Sequence, residues 1–539
     1  MLWLALHLPL LSLESAAATR SPEHAGRPLA LLQEHQVLHA DALAVERGVR
    51  PGMKRATALA LAPDLLLAAA DARRDTQALR AVAHVALAFS PAVTWATPVA
   101  LAAVPRASGL ASDARPAPCA ALVGVRLEVQ SCLRYFGGLP ALLDRLRSAL
   151  APLGHTLRIA CAPTALGAAL LAAWRDDLTL GPHSDPGHPA LQRLLDALPL
   201  QLLGPEPQQW QALQGMGLHT LADLRPLPRA GLARRFGPEL LARIDQARGH
   251  APEAQVWLSL PPQFDSRIEL LCRADTSAQV LAGAQVLLAR LLAWAGARQS
   301  RILRFSLVMH HERRRRRDSQ TPEHSRLDIA PALPSADPRH LYSLLAERLG
   351  RLPLAAPALE LSLRCEHLST GAPPNAELFA SHASEREGLA RLVDRLQARL
   401  GTAQVQCLAA MPDHRPEHGT RWQPADAARL GAQPQAQSPL PAGAAVHTLA
   451  AQPLWLLPTP RALAAQAQGP LLDGQALQLL AGPDRLECGW WDEPGPAVRD
   501  YFIAQTRSGA LVWVYRHRLP DGEAGQPAAS GWFLQGLFA

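Results

Sequence analysis

Few side chains in this chain stand at spacings that could do chemistry. Seven cysteines (Cys119, Cys132, Cys161, Cys272, Cys365, Cys407 and Cys488) are odd in number, scattered and never arranged as C-x-x-C. Neither a disulfide framework nor a zinc site is expected, and a reducing, cytoplasmic setting is. Five consecutive arginines, Arg313, Arg314, Arg315, Arg316 and Arg317, read by default as a solvated loop, and a grip on a phosphate backbone that weakens with salt is the functional alternative. The run Gln452-Pro453-Leu454-Trp455-Leu456-Leu457-Pro458 is uncharged, with a polar head and an apolar body. It has the form of a peptide that docks through a few anchors, or of the first strand of a further domain.

The elements that must position such groups begin at the first residue. Met1 to Leu8 is an apolar run whose only polar group before Ser12 is His7, which reads as a buried strand ended by Pro9. Ser15-Ala16-Ala17-Ala18 after it has the small-residue look of a secretory cleavage site. No Lys or Arg precedes the run, however, and Pro9 interrupts it, so a signal peptide is not expected. With 539 residues and 48 prolines the chain can form several domains, each with its own core. Its net charge of +7 is compatible with a polyanionic partner. No uninterrupted apolar run of about 18 residues occurs, so no membrane span is expected.

Gly48 to Met53 reads as a turn before an Ala/Leu-rich helix, and Leu79, Val82, Ala86 and Phe89 mark one face of a helix from Asp71 to Ser90-Pro91. Ala121 to Gln130 is a second strand. Leu142, Leu143, Leu146, Leu150 and Leu153 stripe the next helix, Ile159 to Trp174 follows, and Leu198 to Gly249 reads as short helices. Phe264 to Glu366 reads as strand, helix, strand, strand, helix, strand. Within it Leu303, Phe305, Leu307 and Met309 alternate with Arg304, Ser306, Val308 and His310, and Leu359, Leu361, Leu363 and Cys365 with Glu360, Ser362, Arg364 and Glu366. One face of each strand should pack while the other meets solvent or a ligand. Ser384 to Leu400 reads as an amphipathic helix, Pro412 to Gly443 as a flexible linker, and Gln475 to Ala539 as a small strand-rich region whose aromatics are mostly core. The tail Gln535-Gly536-Leu537-Phe538 is a second, weaker docking peptide.

This series resembles the Y-family (translesion) DNA polymerases, whose opening strand has the pattern hhDhDxFFAxVE. Setting Leu13-Glu14 on its Val-Glu puts Ala5 and His7 where the aspartates stand, and Pro9 and Leu10 where the aromatic pair stands. The GVRPGM…APDLLL stretch is similar to the fingers, with Ala42 and Val45 at the family's nucleotide-contacting Tyr and Arg. Aligning Leu127-Glu128 on the second catalytic strand puts Val123 and Gly124 at the Asp-Glu pair. Ala165 and Ala169 stand at two phosphate-approaching lysines. In the family, carboxylates at these places hold the two divalent cations of nucleotidyl transfer.

The resemblance implies an α+β multidomain fold. Residues 1–20 and 71–175 would form the palm, 21–70 the fingers, 176–255 a helix-hairpin-helix thumb and 256–370 the little finger. A helical extension (371–411), a linker (412–450) and a β-rich interaction region (451–539) would follow. It further implies a non-catalytic homologue, of the kind found in bacterial mutagenesis cassettes, with no cofactor and no metal. Such a protein acts as an adaptor of damage-induced (SOS) translesion synthesis, joining a sliding clamp, a RecA-like partner and an error-prone C-family polymerase. Arg304, Arg313 to Arg317 and Arg364 are its candidate contacts to primer-template DNA. Sliding clamps take short peptides beginning with Gln, which makes Gln452, Leu454, Trp455, Leu456 and Leu457 the candidate clamp contacts. One alternative is a working polymerase, for which Glu14, Asp41 and Glu128 are the nearby carboxylates. Another is a general DNA-binding repair accessory.

Overall fold

The computed structural model describes residues 1–96, 122–180, 189–204, 207–312, 322–370, 382–426, 452–467, 469–491, 497–518 and 531–538. The chain forms two compact units, Met1–Arg399 and Leu400–Ala539.

Unit 1 opens with β1 (Trp3–His7) and α1 (Leu11–Ala17). A fingers-like lobe follows: β2 (Leu29–Gln33), β3 (Gln36–Ala40), α2 (Ala42–Glu46), α3 (Arg55–Leu61) and β4 (Leu66–Ala69), with strand order β3-β2-β4. The palm resumes with α4 (Ala72–Leu87), β5 (Val93–Ala96), β6 (Gly124–Glu128), α5 (Leu133–Phe136) and α6 (Leu139–Leu150). It closes with β7 (Arg158–Ala162), α7 (Ala165–Trp174) and β8 (Leu178–Thr179). The palm sheet runs β5-β6-β1-β7-β8, so β1 lies between two antiparallel neighbours. Its side chains alternate between two covered faces. Leu4 and Leu6 pack with Leu79, Val82, Leu142 and Leu146, while Trp3 and Ala5 pack with Ala165, Ala169 and the thumb leucines. Burial on both faces is why the strand is apolar throughout rather than at every second position.

The thumb contains α8 (Pro189–Asp196), α9 (Pro207–Gly215), α10 (Arg229–Phe236) and α11 (Pro238–Arg248). The little finger follows as β9 (Phe264–Ala274), α12 (Ser277–Ala297), β10 (Ser300–His311), β11 (His324–Ile329), α13 (Pro338–Arg351) and β12 (Ala358–Thr370), strand order β11-β10-β12-β9. By length and composition α12 could cross a membrane. It instead packs on the little-finger sheet and on α4, and its buried Arg290 donates to Gln77 Oε1 at 3.3 Å and Ser266 Oγ at 3.2 Å.

Two core assignments need correction. Leu303 and Leu359 are exposed, and Ile302 and Ala358 take the buried places. The register shifts between Ile302 and Arg304 and between Ala358 and Glu360, and such irregularities invert the alternation locally.

The helical extension also divides differently from expectation. Helix α14 (His382–Leu400) packs on the little finger through Ala390, Val393 and Ala398. Its buried Asp394 accepts the Ala332 N–H at 3.0 Å and stands 3.2 Å from His340 Nε2. It therefore belongs to unit 1, whose boundary falls at Arg399.

Unit 2 begins with the hairpin β13 (Gln406–Ala410) and β14 (Thr420–Pro424), so the stretch read as linker holds a strand. The order there has a tertiary source: Glu417 accepts from Arg499 at 2.8 Å and from Gln535 at 2.7 Å, contacts that composition cannot register. The remaining strands are β15 (Trp455–Gln466), β16 (Gly469–Leu472), β17 (Gln475–Ala476), β18 (Gln478–Cys488), β19 (Ala497–Gln505), β20 (Leu511–His517) and β21 (Trp532–Leu537). They form one sheet ordered β17-β16-β15-β21-β20-β19-β18. One face carries Val512, Val514, Ala504 and Leu463, the other Tyr501, Trp513 and Tyr515. Trp490 and Trp491 are exposed, outside the aromatic core.

Candidate functional site

The ends of β1 and β6 meet in the centre of the palm sheet, where His7 is the Cα partner of Gly124 and Ala5 that of Arg126. Ala5, His7, Val123 and Gly124 line a common void together with Arg126 and Ala169, and its volume is about 10 Å³. That is the threshold for one water molecule. The His7 Nδ1–H donates to the Val123 carbonyl at 3.2 Å. Burial, aided by Arg158, lowers the His7 pKa against that hydrogen bond, so the ring is neutral near pH 7. A Cβ on Gly124 would lie 2.3 Å from the Leu6 carbonyl oxygen, so no larger residue fits there unless β1 moves. The paired divalent cations of the polymerases do not fit this donor set. Among the described residues no three His, Cys, Asp or Glu side chains are grouped to hold a metal ion.

The three carboxylates near this place have other partners. Glu14 accepts the Thr156 N–H at 2.9 Å and stands 3.6 Å from His155 Nδ1. Burial tends to raise its pKa, but these hydrogen bonds outweigh it and hold the carboxyl below its usual range. Asp41 caps α2 through the Ala44 N–H at 2.9 Å. Glu128 accepts the N–H groups of Leu2 at 3.3 Å and Gln130 at 3.0 Å.

The helix start where the resemblance places phosphate-approaching lysines, and a hairpin of the thumb, are both filled by the chain's own carboxylates. At the start of α7 the Leu166 N–H donates to both Glu253 oxygens, at 3.1 and 3.0 Å. Thr164 Oγ1 accepts the Gly167 N–H at 3.2 Å and donates to the thumb carbonyl of Ala247 at 2.7 Å. The free N–H groups and positive dipole end of a helix start are what would attract an anion; here the anion is Glu253, from the segment after α11. Burial raises its pKa and lowers that of Arg126, and each charge opposes the other's shift. Further along that segment, Trp257 stacks on Trp3 with ring centroids 6.0 Å apart. In the thumb hairpin, Asp223 accepts the His219 and Thr220 N–H groups at 2.9 and 2.8 Å. Sequence reading missed both acids. Thr220-x-x-Asp223 carries a helix-start signal, whereas Glu253 has no local one.

Of the candidate DNA contacts, Arg313 to Arg317 lie outside the described residues. Arg304 and Arg364 are exposed on the outward face of the little-finger sheet. Arg364 donates to Asp265 at 3.2 Å, Arg326 pairs with Asp328 at 2.9 Å and Arg267 pairs with Glu360. Much of that face is thus charge-matched.

In unit 2, Gln452, Leu454, Trp455 and Leu456 are exposed and Leu457 is half-buried. Trp455 to Leu457 begin β15, as one of the two readings from sequence expected. Gln535 in the tail is buried and accepts the Tyr501 hydroxyl at 2.7 Å, so its amide has a structural task.

A sequence model of the impB/mucB/samB family matches residues 12–173, a class that fits the palm and fingers described above. Over 518 residues, 91% of this chain and 100% of the relative, the sequence is 30% identical to Protein ImuB of Caulobacter vibrioides, in strains NA1000 / CB15N and ATCC 19089 / CIP 103742 / CB 15. The chain belongs to the ImuB family. Among solved structures, an insertion ternary complex of Dbh DNA polymerase is 12% identical with a TM-score of 0.35, covering 69% of this chain and 100% of that one. DinB from Sulfolobus solfataricus is 13% identical with a TM-score of 0.35, covering 69% and 99%.

Proposed function

We propose that this protein is a non-catalytic adaptor of damage-induced translesion synthesis. In this reading it holds a sliding clamp, the RecA-like ImuA and the error-prone C-family polymerase ImuC near a primer end. The observation that carries the non-catalytic reading is the junction of β1 and β6, where Ala5, His7, Val123 and Gly124 supply no carboxylate and leave a space of about 10 Å³. Glu253 on the α7 start supports it, because an incoming triphosphate would have to displace a carboxylate already hydrogen-bonded there. What remains useful in such a protein is tethering. A clamp-bound adaptor raises the local concentration of a weakly bound polymerase without new chemistry.

Primer extension by the purified chain with all four dNTPs and Mg²⁺ or Mn²⁺ tests the reading. No incorporation is expected, together with capture by the clamp that is lost when Gln452, Leu454 and Leu456 are changed to Ala. Incorporation that survives removal of contaminating polymerase would overturn it and direct mutagenesis to Glu14, Asp41 and Glu128.

A further inference from the structure

The two docking peptides of unit 2 are distant in sequence and adjacent in the sheet. Trp455 on β15 is the Cα partner of Leu537 on β21, and Leu537 is the Cα partner of Val512 on β20. Directly paired residues of an antiparallel sheet project from the same face. That face carries the buried row Val512, Val514 and Ala504, and Trp455 and Leu537 continue it into solvent, 68% and 40% exposed. Leu454, 83% exposed, lies beside them in the chain. On the other face the buried Pro453 lies over Gly536, where an added Cβ would come 2.3 Å from Pro453 Cγ. The tail therefore holds the peptide from both sides, by strand pairing and by this proline contact.

Resting on the clamp-binding reading above, we infer that the two peptides are one docking surface, in which Leu537 of the tail enters the clamp's apolar peptide pocket beside Leu454 and Trp455. Charge selects the occupant. No Asp, Glu, Lys or Arg occurs from 430 to 460 or from 524 to 539, so the two peptides themselves offer a phosphate backbone or an acidic helix no counter-charge. They match an uncharged apolar pocket, the kind that takes extended peptides by a few anchors.

The full-length chain is titrated onto immobilised sliding clamp from the same organism. Trp455→Ala and Leu537→Ala are each expected to weaken binding about tenfold, the scale of a buried apolar anchor. The double variant should lose less than the product of the two, because side chains sharing a pocket are not independent. Wild-type affinity in Leu537→Ala beside a loss in Trp455→Ala would overturn the composite surface and leave the clamp reading standing. A wild-type chain that does not bind the clamp would remove the clamp reading and this inference with it. Near-UV circular dichroism of the stacked Tyr501 and Trp513 guards against misfolding. Should Leu537→Ala disturb that signal, Leu537→Gln decides: lost binding supports the surface and retained binding overturns it.

Discussion

The two compact units treat polar chemistry in opposite ways. In unit 1 backbone donors and close approaches are filled from within: Glu253 sits on the α7 start, Asp223 on the thumb hairpin and the Leu6 carbonyl against Gly124. In unit 2 the sheet holds a partly buried polar network of Glu417, Arg499, Tyr501 and Gln535, while large apolar side chains such as Trp455, Trp490 and Trp491 face outward. Charge follows the same division. From residue 400 on there are nine arginines against eleven carboxylates, so the overall +7 comes from unit 1.

The sharpest way to break this contrast is to put a carboxylate back. Gly124→Glu should not revive unit 1 but destabilise it by about 3 kcal/mol, since the new Cβ meets backbone rather than a movable side chain. Urea unfolding followed by circular dichroism reads the shift. A stable Val123→Asp/Gly124→Glu protein that extends primers would end the comparison.

A smaller loss is expected in unit 2. Arg499→Ala leaves Glu417 half-buried without its cation, and also removes the Arg499 hydrogen bond to Tyr501 at 3.1 Å and its contact with the Tyr515 ring. The expected cost is about 2 kcal/mol, below that of a fully buried pair because water still reaches Glu417. It should appear in the aromatic near-UV signal of Tyr501, Trp513 and Tyr515. An unchanged unfolding midpoint would mean that the network is not what holds the hairpin β13–β14.

The smallest effect belongs to Glu14. Its folded-state pKa lies below the ordinary 4.5, so its stabilising contribution is fully present above that value and is lost as pH falls through the lowered one. Stability of unit 1 should decline below about pH 4.5, and Glu14→Gln should flatten that part of the profile. An equally steep decline in Glu14→Gln would assign the acid sensitivity to other carboxylates.

Much of the architecture was legible because it rests on local rules. An apolar run ended by Pro9 became β1, the 79, 82, 86 spacing became α4 with Asp71 capping its start at 2.8 Å, and the strand-helix-strand-strand-helix-strand order became the sheet β11-β10-β12-β9 with its two helices. Leu303 and Leu359 misled because an irregular register changes which side chain faces the core, and no residue type announces it. The strand β14 inside the expected linker was hidden because the partner of the neighbouring Glu417, Arg499, is a distant residue.

By itself the sequence determined that Ala5, His7, Val123 and Gly124 supply no carboxylate in any conformation. Only the tertiary structure decided what occupies the neighbouring helix start. Glu253 reaches the α7 start because the segment after α11 folds back over the palm, where Trp257 stacks on Trp3. Trp455 and Leu537 become neighbours because two strands far apart in the chain pair in one register. Loss of a functional group is a property of one position, whereas occupation of its site depends on which distant segments meet.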